Sequence, residues 1–162
     1  MIPEWLRQRR LALPIELEVF KRANEVRLEH GCPVVEWDDR LFAAAREHSS
    51  TMCELGFCGH DSPLPGRESP LARAVASGAR FAAVGENVLF HERAVMLRIA
   101  AVKFTLRSSS LPASVQARTL VKQWFDSPAH QSNLLTKSWT RTGVGVAIAP
   151  SGRVYATQLF AC

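Results

Sequence analysis

Apolar residues in the first part of this chain recur at helical intervals, and those near its end alternate with the period of a strand. From Ile15 onward, Leu17, Phe20, Ala23, Val26 and Leu28 approximate a helical stripe. Pro14 suits the first position of that helix, where a missing N–H costs nothing. Residues 1–13 are then expected to form an N-terminal arm and 14–162 a single domain. Gly31-Cys32-Pro33 stops the helix. Val34, Val35 and Trp37 form a short extended bridge, and Asp38 or Asp39 is placed to cap a second helix. Leu41, Phe42, Ala45, His48, Met52 and Leu55 share one broad face of that helix, which Gly56 ends.

Residues 57–68, rich in Gly, Pro, Asp and Ser, read as an irregular loop. Ser69-Pro70 starts a short helix that Gly78 stops, and Val84–Phe90 reads as extended. Over 91–107 two patterns conflict. Val95, Ile99, Val102 and Leu106 make a helical stripe, yet Val102, Phe104 and Leu106 also alternate with polar residues. Pro112 opens a further helix through Leu120 and Trp124, Ser127-Pro128 breaks it, and a helical turn carries His130 to Leu135. Arg141–Ala149 and Arg153–Ala161, joined by Pro150-Ser151-Gly152, predict a C-terminal hairpin. The order of elements predicts an α+β domain, with helices covering both faces of a small antiparallel sheet.

Composition narrows this picture without redirecting it. A chain of 162 residues, 47% hydrophobic and 22% charged, has the make-up of one globular domain. The net charge of +5 favours anionic partners. The basic residues are scattered, however, and no nucleic-acid-binding signature occurs, so no nucleic-acid partner is expected. No stretch approaches the length of a membrane span. Cys32, Cys53, Cys58 and Cys162 allow three pairings. A turn after Leu55 would suit Cys53–Cys58, and Cys32–Cys162 would tie down the last strand; four reduced thiols are the alternative.

Three polar patterns carry candidate chemistry: Gly59-His60-Asp61, Gly85-Glu86-Asn87, and Trp124 through Asn133 with His130 inside it. Glu86 is the most informative of these residues. A carboxylate between Val84 and Val88 is costly to bury, so it should meet a cation, a histidine or several donors. With His60 and His130 it could hold a divalent metal such as zinc, or move protons near neutral pH. His30, His48 and His91 read as structural or solvated. No Gly-x-Ser-x-Gly elbow and no phosphate loop occur.

These patterns, in this order, resemble the CAP superfamily of cysteine-rich secretory proteins, antigen 5 and pathogenesis-related class 1 proteins, and its short bacterial branch most closely. The resemblance rests on Gly59-His60, Ser69-Pro70, Val84-Gly85-Glu86-Asn87, Trp124 through Leu135, Gly143–Ala147 and Tyr155–Phe160, with Asn24, Arg27 and Leu41 earlier. It implies a three-layer α-β-α sandwich whose cleft is lined by His60, Glu86 and His130, with Asn87, Trp124 and Asn133 around it. Trp124 is followed by Phe125-Asp126-Ser127, so the second glutamate of eukaryotic members is absent. Residues 91–118 stand out as an insertion or flap.

The leading expectation is a non-enzymatic, secreted or periplasmic monomer whose leader peptide is not part of this chain. Its cleft would bind a small lipid, a cell-envelope component or a protein partner, with or without a divalent cation. A metal-dependent hydrolase or protease using His60, Glu86 and His130 is the alternative.

Overall fold

Asp38 and Ser69 each start a helix by the same device, a side-chain oxygen that accepts from backbone N–H groups lacking a partner in the first turn. Asp38 accepts from Arg40 and Leu41 at the head of α2 (Asp39–Leu55), and Ser69 accepts from Ala72 at the head of α3 (Pro70–Ala76). Gly56 ends α2 in the left-handed conformation, at φ 71°. The computed structural model describes the backbone of residues 4–91 and 111–162, and side chains from Ala12 onward within those ranges. Residues 92–110, which take in all but His91 of the conflicting stretch 91–107, lie outside the described residues.

The first helix, α1 (Glu4–Glu29), departs from expectation, because Pro14 lies inside it and not at its start. Ala12 and Ile15, on either side of Pro14, are both buried in the core. Their burial holds the chain helical through a residue that would otherwise favour a break. The buried stripe runs through Ala12, Ile15, Val19, Ala23 and Val26, whereas Leu17 and Leu28 face solvent. The remaining elements are β1 (Glu36–Trp37), β2 (Val84–His91), α4 (Ala113–Asp126), α5 (Pro128–Leu134), β3 (Arg141–Ile148) and β4 (Val154–Ala161). Residues 113–118 of the expected insertion are therefore the first turns of α4.

The sheet order is β1-β3-β4-β2. β2, β4 and β3 are antiparallel neighbours, and β3 and β4 form the expected hairpin. The small sheet is mixed and not purely antiparallel, because β1 joins β3 in parallel at Glu36–Arg141 and Trp37–Thr142. The long connection from β1 to β3 passes through several helices, so nothing forces the hairpin geometry that antiparallel pairing uses.

Two cores sit on opposite faces of the sheet, as a three-layer sandwich requires. On one face Ile15, Val19 and Ala23 of α1 meet Leu120 and Trp124 of α4 over Val144, Val146 and Phe160. On the other, Leu41, Ala44 and Ala45 of α2 and Ala74 of α3 meet Leu159 and Ala161. Gly143 and Gly145 let α2 lie directly on β3: a Cβ on either would come within 2.1 Å of an α2 backbone nitrogen.

Buried and half-buried polar residues join the layers. Asn24 bonds both the carbonyl and the N–H of Val35. Arg27 donates to Pro33, Leu134 and Thr136 carbonyls. Glu16, fully buried, accepts from Arg46 and from the Val146 N–H on the outer edge of β3.

Candidate functional site

Strand pleating sends Glu86 toward the α2–α3 layer and its neighbour Asn87 toward α5. Each then organises one histidine. Glu86 Oε1 lies 2.9 Å from His60 Nδ1, and Oε2 accepts from Arg73 Nη2 at 2.5 Å. The side chains of Arg73 and Glu86 are each 1% exposed. Arg73 also donates to the carbonyl of His60 at 2.9 Å and to that of Arg67 at 3.1 Å. One guanidinium thus neutralises the buried acid and holds the loop that carries the histidine. His48, buried on α2, supports the same loop by donating from Nε2 to the Gly59 carbonyl at 2.8 Å.

On the other side of β2, Asn87 donates to the His130 carbonyl at 3.1 Å. Asn133 donates to Asn87 Oδ1 at 3.0 Å, and Trp139 Nε1 donates to the Asn133 carbonyl at 3.0 Å. Gly85 makes this packing fit, since a Cβ there would lie 2.4 Å from Asn133 Oδ1. The Gly-Glu-Asn pattern therefore has a mechanical meaning. Glycine admits α5, glutamate fixes His60, and asparagine fixes the backbone of His130.

The two imidazoles are pushed in opposite directions. The hydrogen bond to Glu86 raises the pKa of His60. Partial burial lowers that of His130, and the nearby His60 lowers it further. The stability contribution of His60 is therefore complete below its unfolded pKa and fades as pH rises through its higher folded value. That of His130 has the opposite sign: it is present above the unfolded pKa and lost as pH falls through the lower folded one. Histidine-selective NMR titration is expected to place His60 above, and His130 below, the ordinary imidazole value of 6.5. Coincident midpoints would contradict this geometry.

Glu86 does not fit the role of a direct metal ligand or a free base, because both its oxygens are engaged and its side chain is buried. It fits the carboxylate that orients a ligating imidazole from behind, leaving His60 Nε2 as the free ring nitrogen. Among the described residues no group of three His, Cys, Asp or Glu is placed to hold a metal. The two imidazoles could contribute two nitrogens to a cation completed by water or by a ligand.

In the structure all four cysteines are free thiols, so neither expected disulfide is shown and the reduced alternative stands. Cys32 is buried and donates to the Leu135 carbonyl at 3.2 Å. Cys53 packs toward the Met52–Val88–Tyr155 cluster, while the Cys58 sulfur faces the backbone N–H of Phe90. Burial raises the Cys58 pKa, which disfavours the nucleophilic thiolate. Trp124, expected beside the cleft, is fully buried in the α1–α4 core.

Sequence reasoning did not name Arg73. The buried position of Glu86 called for a cation, but nothing local to Glu86 distinguishes one of the 20 Lys and Arg residues from another.

The profile of the CAP family, described as the cysteine-rich secretory protein family, matches residues 20–160. The chain is 26% identical over 143 residues to the uncharacterized protein YkwD of Bacillus subtilis (strain 168), covering 88% of this chain and 46% of that protein. It is 27% identical over 145 residues to the uncharacterized membrane protein YlbC of the same organism, covering 90% of this chain and 34% of that one. The chain therefore spans less than half the length of these curated relatives. An extracellular protein of Bacillus anthracis str. Ames that contains an SCP domain superposes with a TM-score of 0.70 at 22% identity, covering 99% of this chain and 44% of that one. That likeness establishes the fold.

Proposed function

The chain belongs to the cysteine-rich secretory protein (CAP) family, and from that premise we propose that it is an extracytoplasmic binding domain. Its cleft receives a small lipid, a cell-envelope component or a protein partner between His60 and His130. A divalent cation held by the two imidazoles is one means of attachment.

The observation that carries this reading is the double engagement of the Glu86 carboxylate. One oxygen meets His60 and the other Arg73, both inside the protein. A buried acid tied to a guanidinium makes a rigid mount for an imidazole. Glu86 is not itself free to take a proton from water, so the alternative hydrolase reading would need an imidazole as its base. His60 itself is accessible, with a side chain 52% exposed, so a ligand can reach the ring that the acid orients.

Calorimetric titration with zinc chloride tests the shared pocket. Wild type is expected to bind weakly, as two protein ligands imply. His60→Ala and His130→Ala should each weaken binding at least about tenfold, the loss of roughly one hydrogen-bonded or ligating contact. Equal affinity in all three proteins would remove the common site. Zinc-dependent cleavage of a labelled casein by wild type, abolished in His60→Ala, would transfer the reading to a hydrolase.

A further inference from the structure

Between the two histidines lies the open edge of the sheet. Among the described residues β2 ends the strand order and pairs with β4 alone. Its hydrogen-bond parity follows from Ala83, which exchanges both main-chain bonds with Cys162, at 3.3 and 3.2 Å. Alternate residues Gly85, Asn87 and Leu89 therefore bond to β4, while Val84, Glu86, Val88 and Phe90 turn their N–H and C=O groups outward. The Phe90 N–H faces the Cys58 sulfur. Among the described residues none bonds to the outward groups of Glu86 and Val88.

Exposure at Glu86 locates this edge in the solvent-facing cleft. The whole residue is 8% exposed but its side chain only 1%, so the exposed part is its main chain. The opposite edge of the sheet is treated differently. There β1 covers β3 at Thr142, Glu16 takes the Val146 N–H, and Val144 between them is fully buried. Among the described residues one edge is closed and the other has no partner, with a histidine on either side.

We propose that the cleft receives an extended peptide segment of a partner protein, which adds to the sheet as a strand along Glu86–Val88 between His60 and His130. This deepens the binding reading given above and rests on it. Two outward residues offer two donors and two acceptors, enough to align a segment of three or more residues. The side chains of such a strand alternate between faces, so neighbouring residues meet His60 on one side and His130 on the other. At about 1 kcal/mol net for each main-chain bond, the edge alone gives weak affinity, and the flanking histidines supply the selectivity. The chain's net charge of +5 favours acidic residues in such a segment.

Heptapeptides selected from a displayed random library against the full chain provide the probe. In a selected peptide, N-methylation at alternate residues should weaken binding at least tenfold, and N-methylation at the residues between should leave it nearly unchanged. Hydrogen exchange of the Glu86 and Val88 amides should slow on binding. Val88→Pro removes an outward N–H without touching the β4 ladder, and once shown to be folded it should bind at least tenfold more weakly. Because the N-methyl series uses wild-type protein, the result does not depend on that variant. A peptide that needs His60 yet tolerates every N-methylation would overturn strand addition while leaving the cleft reading intact. So would a library that yields no binder at millimolar peptide, or a protein whose Val88 amide is already protected in a dimer.

Discussion

Replacing Arg73 by Met is expected to lower the unfolding free energy by about 3–5 kcal/mol, the usual cost of leaving a buried charge without its partner. Arg73 and Glu86 are each 1% exposed in their side chains and 2.5 Å apart, so water cannot take the place of the guanidinium. The same change frees the carbonyls of His60 and Arg67, so the loop holding His60 should loosen with the core. Urea denaturation measures the loss. Combining Arg73→Met with Glu86→Gln should recover at least about 1 kcal/mol of it, because the stranded charge is then gone. A single variant that loses less than about 1 kcal/mol would mean the pair is solvated and the site is not built as described.

Gly145→Ala is expected to cost roughly 3 kcal/mol or more, at the upper end for overpacking a close contact. The added Cβ would lie 2.1 Å from the Arg46 nitrogen and 2.2 Å from the Ala45 carbonyl carbon. Both are backbone atoms of α2, so no side chain can rotate aside. The helix must lift off the sheet, which strains the bond from Ser49 to the Gly145 carbonyl, 2.9 Å long. Gly56→Ala is the control. Its φ of 71° is unfavourable for alanine, but no atom lies within 4 Å of the new Cβ. It should cost only about 1 kcal/mol of backbone strain. Thermal or urea unfolding that ranks the two variants equally would show that α2 does not rest on β3 through its glycines.

Much of the site was legible before folding, and for local reasons. Asp38, Ser69 and Gly56 act on groups within a few residues of themselves, so their meaning survives in the linear chain. The hairpin was legible because Gly152 adopts a φ of 89° in the turn joining two alternating strands. Glu86 announced that it needed a partner because an acid inside an apolar segment is costly to bury alone. Pro14 misled for the complementary reason. Its local preference is to begin a helix, but the burial of Ala12 and Ile15 against distant residues outweighs that preference. The spacing of the cysteines left pairing and free thiols both open, and the direction the Cys32 sulfur takes depends on Leu135, far off in the chain.

The amino-acid sequence on its own determined the caps, the hairpin, the family resemblance and the demand that Glu86 be neutralised, because each depends on nearest neighbours or on the cost of hiding one charge. Only the tertiary structure decided that Arg73 answers that demand and that His60 and His130 stand on opposite sides of one strand. Among the described residues it also left the edge between them unpaired. Those outcomes require segments separated by tens of residues to close on a common sheet, and no local preference encodes which of the available partners will arrive.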